Sequence, residues 1–399
     1  MPDTLLIRRC AILVIEPRER LELDLAGLFG GAQALKASCR WIALAPHLDA
    51  EIEIDADELA ALGRIGETPW HPFAQLARDT APAVLDRLLA KGLLVGDAPE
   101  HAATRARDEN VRACYWRPLS AVAHAFSRWS DAGVGDDVRI TPHREIGDLI
   151  REYGSPPPHV VERVAAEQRI SLHASASSAL DALFRRRATC RNFDTQAPLG
   201  FAVFGDVLKR VFASHAATEL APGAVALKKS NPSGGSLHPL DAYLLVRRVE
   251  RLDAGLYHYH AVEHALEPLQ TLASAEAEAC AMRFVAKQDF FADAPVHIAL
   301  VARFRRTFWK YRNHPKAYRA IVLEAGHVSQ NLYLAATELG LGAYVTAAIN
   351  EIDIENAFAL DATQDSPLAV CGFGVRAAVR RTVELDPLGA VWDQEGVRR

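Results

Sequence analysis

The order of apolar and polar positions along the chain sorts it into segments of two periods. Residues 51–54 alternate with the two-residue rhythm of a short strand, and Asp55 follows as an acceptor suited to cap a helix. Val84, Leu85, Leu88 and Leu89 then recur at helical spacing, ahead of Gly92 and the apolar Leu93-Leu94-Val95. Strand, two or three helices, strand is a winged-helix-like order. Residues 116–129 read as a further helix, with Trp116, Ala123, Ala125, Phe126 and Trp129 on adjoining faces and Arg117 and Arg128 outward, either core packing or a platform for substrate. Farther on, the spacing predicts helices over 175–186, 201–213 and 317–339, and strands over 242–249, 296–302 and 368–372.

Between these halves, Gly133, Gly135, Pro142, Gly154 and the run Pro156-Pro157-Pro158 break the helical pattern. The expected organisation is a winged-helix-like helper domain over 1–135, a linker over 136–175, a catalytic domain over 176–385 and a tail over 386–399. Helices and strands separated by long connections imply an α+β domain, a central mixed sheet with helices on both sides.

Composition narrows the function. The chain has 399 residues, half of them apolar, enough for a large core. A formal net charge of −5 offers no general attraction to nucleic acid or to an anionic membrane surface. Across 51–97 the acids outnumber the bases nine to four, which argues against DNA as the ligand of a winged helix. That leaves a clamp for a peptide along a strand edge, or a packing domain. The apolar run at 10–15 is short and bounded by charges, so neither a signal peptide nor a membrane anchor is expected, and the location expected is cytoplasmic. The six cysteines lie far apart without a C-x-x-C pair, which fits reduced, mostly buried thiols and no metal-ligand set.

Two segments carry candidate chemistry. Arg185-Arg186-Arg187-Ala188-Thr189-Cys190-Arg191-Asn192-Phe193 is a basic cluster behind an amphipathic helix, either a phosphate site or a solvated helix end. Ser230-Asn231-Pro232-Ser233-Gly234-Gly235-Ser236-Leu237-His238-Pro239 is a run of small residues in which a flat ligand could meet bare backbone N–H groups, or a plain turn. After them come Gly255-Leu256-Tyr257-His258-Tyr259, Lys310-Tyr311, Leu323-Glu324-Ala325-Gly326-His327, Gln330-Asn331-Leu332-Tyr333-Leu334-Ala335-Ala336 and Leu339-Gly340-Leu341-Gly342. His238, His258, His260 and His264 could line a substrate face, or serve as surface or hydrogen-bonded core residues.

In that order the segments resemble the SagB-type peptide dehydrogenases of the nitroreductase superfamily, over about residues 175–381. The resemblance implies FMN as cofactor, a homodimer whose flavin touches both chains, a precursor peptide as substrate and a cyclising partner enzyme. It implies oxidation of azolines to azoles. By the same resemblance, Arg187, Thr189 and Arg191 reach the phosphate, ribityl chain and pyrimidine edge, and Pro232, Ser233, Gly234 and Gly235 form the loop over the cofactor. Ala347 and Ala348 would offer a backbone N–H to the flavin, and Arg380 and Arg381 would close on the phosphate. Ala188 stands where the family pattern has a second basic residue, so one flavin contact is missing or supplied by Arg186. Lys310-Tyr311 matches the pair to which azoline oxidation is attributed. Removing a carbon-bound proton needs a base, and a phenol near pKa ~10 is one only if a neighbour such as an ammonium lowers it. Adjacent residues on a regular element point apart, so joint action needs an irregular backbone over 308–315. Two other readings stay open: a flavin reductase using NAD(P)H on dehydroamino acids, nitroaromatics or quinones, and a scaffold subunit without chemistry.

Overall fold

The computed structural model describes residues 5–23, 28–29, 35–136 and 146–399. Pro142, one of the expected breaks, lies outside them.

In the amino-terminal part, β1 (Leu6–Arg9) pairs antiparallel with β5 (His71–Pro72) and β6 (Leu94–Gly96). A second antiparallel sheet joins β2 (Val14–Leu23), β3 (Leu35–Leu44) and β4 (Ile52–Ile54). Helix α1 (Ala56–Arg64) opens on Asp55, whose side chain accepts from Glu58 N–H while the Glu58 carboxylate accepts from Asp55 N–H. That reciprocal cap satisfies two otherwise orphaned donors. With the one-turn α2 (Phe73–Leu76) and α3 (Pro82–Ala90), α1 closes a small core in which Leu62, Leu85 and Leu88 meet Ile7, Leu94 and Val95.

Helices α4 (Ala102–Cys114) and α5 (Pro118–Ala125) belong to a different core. The helix expected over 116–129 is shorter. It starts at Pro118, which needs no N–H at the first helical position, and ends before Phe126. Trp116 instead precedes the helix, stacked on the His124 ring and donating its indole N–H to Thr363 O at 2.8 Å. After α6 (Ile146–Tyr153), residues 151–182 are exposed throughout, and α7 (Ala179–Arg186) begins four residues later than expected, at the Ser178–Asp181 capping box.

The central sheet has the order β11 (Ala265–Thr271), β10 (Gly255–His260), β9 (Leu240–Val246), β12 (Val296–Arg303), β14 (Asp365–Gly374), β13 (Gly342–Thr346). Every ladder in it is antiparallel, so the expected mixed sheet is corrected: its parallel component is confined to isolated bridges, Thr189 to Ala343 and Leu199 to Val249. A hairpin links β10 to β11, and β12 lies in the middle of the sheet, buried from Val296 to Ala302. Alternate side chains serve two layers. Ile298, Leu300 and Ala302 face α4, α5, α8 (Phe201–Phe212) and the long α12 (Ala317–Glu338); Ala299 and Val301 face α9 (Ser274–Phe284), α10 (Asp289–Ala292) and α13 (Glu351–Phe358). Each aliphatic side chain buried there contributes roughly 1.5–3 kcal/mol. The exposed hairpin β7 (Ala216–Ala221) and β8 (Ala224–Lys228) and the short α11 (Phe304–Phe308) complete the framework. Among the described residues no helix is long and apolar enough to cross a membrane.

Candidate active site

The site is organised by α12. Ile321, Ala325, Val328, Leu332 and Ala336 form its buried stripe, and two sets of site residues lie on either flank. Glu324 and Tyr333 mark the flanks: nine residues apart, they are separated by about two and a half turns and so point to opposite sides.

On the Glu324 flank lies the small-residue loop. The Glu324 carboxylate, 4% exposed, accepts from Ser233 Oγ at 2.6 Å and from Asn231 Nδ2 at 3.2 Å, and His238 Nδ1 stands 3.4 Å away. Ser233 Oγ in turn accepts from His238 N–H at 2.9 Å. Asn231 Oδ1 and His238 Nδ1 are buried without a hydrogen-bond partner. Burial pulls the Lys229 ammonium below the ordinary lysine range, opposed by the negative charge of Asp241 and Glu324. Gly235 has φ 70°, the left-handed region that favours glycine, and a Cβ there would lie 2.9 Å from both Lys310 Nζ and Tyr311 Oη. The bare backbone of the loop is therefore the surface against which the two candidate catalytic groups are gathered. Lys310 Nζ is 5.4 Å from the Tyr311 ring centroid. The stretch that carries them is irregular, as joint action requires: α11 ends at Phe308, and Asn313 turns at φ 50°. Arg306 of α11 ties the two pieces together, donating from Nε to Leu237 O and from Nη2 to Val225 O, both at 3.0 Å.

On the Tyr333 flank, Thr189 Oγ1 meets Tyr333 Oη at 3.0 Å, the Arg187 guanidinium lies over the Tyr333 ring at 5.3 Å, and Val345 N–H donates to the same phenol at 3.2 Å. Beside them is a cleft of about 350 Å³ to which Gly326, Ser329, Val345, Ala347, Tyr318 and Glu351 contribute. Ala347 lines it; the Ala348 N–H donates to Thr346 Oγ1 at 3.2 Å instead. Burial pushes the Tyr318 phenol up to about 12 and Tyr333 above the usual range, which keeps both neutral. The same cause pushes Glu351 up to about 7, although its carboxylate accepts from Trp129 N–H at 2.9 Å.

Arg191, with Arg381, rims a second cleft of about 360 Å³. Its position is set by the stretch after β14: Glu384 accepts from the N–H groups of Arg191 and Asn192, from Asn192 Nδ2, from Arg376 at 2.6 Å and from Trp392 Nε1. Asn192 Oδ1 accepts from Arg381 and Thr382 N–H, both at 2.7 Å, which holds Arg381 beside Arg191, while Arg380 N–H donates to Gly396 O at 2.8 Å. None of Arg187, Arg191, Arg380 and Arg381 forms an ion pair with a described carboxylate, whereas neighbouring Arg376 does. Among the described residues, no hydrogen bond or ring contact joins these arginines to the Pro232–Gly235 stretch of the same chain.

His258, His260 and His264 take the plainer of their two readings: they bond Glu267 Oε2, Glu263 N–H and Tyr259 Oη within the β10–β11 hairpin. Sequence reasoning gave no role to Glu324, Tyr333, Glu351 or Glu384. Glu324 had a signal, since it sits beside the apolar stripe Ile321–Ala325–Val328 where a carboxylate needs a partner. Glu384, in the aperiodic stretch after β14, had none.

A sheet flanked by helices, an arginine cluster and a glycine loop around one long helix define a class. Residues 184–375, just under half of the chain, match the nitroreductase family. The chain is similar to the trifolitoxin-processing protein TfxB of Rhizobium leguminosarum bv. trifolii, 32% identical over 147 residues, and to the microcin B17-processing protein McbC of Escherichia coli, 32% identical over 159 residues. The matches cover 36% and 38% of this chain and only 38% and 56% of those proteins. Among solved structures, the E. coli microcin synthetase McbBCD complex with truncated pro-MccB17 bound aligns with a TM-score of 0.46 at 21% identity, over 67% of this chain and 97% of that one.

Proposed function

We propose that the protein is an FMN-dependent oxidoreductase that dehydrogenates azolines to azoles in a ribosomally made, modified peptide. The observation that carries this reading is the close approach of Gly235 to both Lys310 Nζ and Tyr311 Oη, which places an ammonium beside a phenol at a loop without side-chain bulk. Tyr311 takes the carbon-bound proton, and Lys310 stands beside it at the same loop. FMN, when bound, supplies the two-electron acceptor. The donor set fits that group: among the described residues the Arg187, Arg191, Arg380 and Arg381 guanidinium groups form no ion pair with a carboxylate, which suits them to a phosphate tail, and Thr189 and the Pro232, Ser233, Gly234 and Gly235 loop present a hydroxyl and uncovered backbone.

The homodimer belongs to the same reading. Between its flanks α12 exposes a stripe of Val322, Leu323, Gly326, His327 and Gln330, with Val322 46% and Leu323 59% exposed. On nearby α7, Leu180 and Phe184 are 54% and 48% exposed. A second copy seated there covers the apolar stripe and brings the glycine loop of one chain towards the arginines of the other. Residues 1–135 serve as the winged-helix-like helper, 136–175 as linker and 386–399 as tail, with a precursor peptide as substrate and a cyclising enzyme as partner.

The test is direct. The purified protein is yellow, with a flavin spectrum, and strips two hydrogens from a synthetic thiazoline-containing peptide, read by mass spectrometry. Colourless protein that takes up no added FMN would leave a scaffold; rapid bleaching by NAD(P)H without peptide oxidation would leave a reductase.

A further inference from the structure

We propose that Glu324 is a positioning residue that sets the Lys310–Tyr311 pair by anchoring the loop on which the pair rests. The inference builds on the proposed peptide oxidation. Glu324 grips the loop at both ends of its tightest stretch, taking the Asn231 amide with Oε1 and the Ser233 hydroxyl with Oε2. Ser233 passes the restraint on, since its oxygen accepts from the N–H of His238, the residue that leads the chain into β9 with φ 45°. The arc from 231 to 238 is thus closed over one carboxylate that is almost wholly buried, and Gly235 sits at its crest against Lys310 Nζ and Tyr311 Oη. The turn that carries the pair is tied to the same arc by Arg306 just before it, which donates to Leu237 O and to Val225 O of β8. Charge-assisted bonds to a buried carboxylate are stronger than neutral ones, so this anchor is stiff.

The geometry predicts what each change does. Glu324→Gln can accept one of the two donated hydrogens but turns an NH₂ towards the other donor. Ser233→Ala removes only the hydroxyl, and covers the case in which the first variant fails to fold. In both, the crest of the loop is released, and the ammonium it packed against becomes more accessible.

Two measurements decide the matter, one of them independent of turnover. Acetylation of Lys310 by a water-soluble acylating reagent, located by mass spectrometry in the full-length flavin-loaded protein, is expected to speed up threefold or more in each variant, with exposed Lys209 unchanged as internal control. With the thiazoline peptide, kcat is expected to fall tenfold or more, while KM stays within twofold and flavin content is unaltered. Unchanged Lys310 labelling, or loss of flavin with kcat per bound flavin intact, overturns the inference. A wild type that does not oxidise the peptide sinks the proposed reaction instead, and the labelling result still decides whether Glu324 sets the pair.

Discussion

Tyr311 differs from the other tyrosines near α12 by its surroundings. Tyr318 and Tyr333 are kept protonated by burial and act as fixed donors or acceptors, whereas Tyr311 is half-buried in a turn beside an exposed lysine. Tyr311→Phe is therefore expected to abolish peptide oxidation and leave the flavin bound, read as a lost mass change with an unchanged visible spectrum; full activity in that variant removes Tyr311 from the chemistry. Gly235→Ala tests the same contact from the other side. Its methyl meets two side-chain ends at 2.9 Å in a backbone conformation that an L-residue adopts at a cost of about 1 kcal/mol or more. A loss of kcat of a hundredfold or more, counted per bound flavin, is expected. Gly235 was legible because a run of small residues before a His-Pro step marks a loop whatever its partners. The pairing of Ser233 with Glu324 was not, because that contact spans 91 positions; the apolar stripe beside Glu324 marks an acid in need of a partner but does not say which.

At the level of elements, the buried helix α12 and the core strands β9, β12 and β14 follow directly from periodicity, since each has a continuous apolar face. The β2–β3 and β7–β8 ribbons do not, and the reason is physical. Their residues are largely exposed, so neither face is selected for apolar side chains, and Pro17 with alternating Arg and Glu hides the strand rhythm of β2. The amino end of α13 holds a different kind of information. There Trp129 N–H donates to Glu351, Asp131 N–H to Asp353 and Ala132 N–H to Asn350, so the segment after α5 is sewn to the helix start. With the Glu351 carboxyl raised to about 7, the native state holds a proton that the unfolded chain releases above about 4.5. Its stabilising contribution is complete below about 4.5 and fades as pH rises through 7, by at most about 3 kcal/mol. Thermal unfolding of Glu351→Gln at pH 5 and pH 8 is expected to show a smaller drop than wild type; equal drops in both proteins exclude Glu351 as the source.

Among the described residues many polar contacts join the amino- and carboxy-terminal parts, and the ion pair of Arg128 with Glu355 is a buried one. Arg128 Nη1 lies 2.6 Å from Glu355 Oε2, with both side chains about 5% exposed, and Ser366 Oγ bonds the other carboxylate oxygen at 2.6 Å. Burial pushes Glu355 up despite that arginine, a sign that desolvation is severe. Arg128→Ala strands the acid and is expected to cost about 3 kcal/mol, measured by denaturant unfolding at pH 7. A cost below about 1 kcal/mol means that this ion pair contributes little to joining the two parts.

The two flanks of α12 have a genetic counterpart. If the arginines of one chain work with the Lys-Tyr turn of the other, two inactive proteins, Arg187→Ala and Tyr311→Phe, complement when co-expressed, because each mixed pair contains one intact centre and one doubly damaged one. Random pairing restores about a quarter of wild-type turnover. Zero recovery from a verified mixed pair means each chain builds its centre alone.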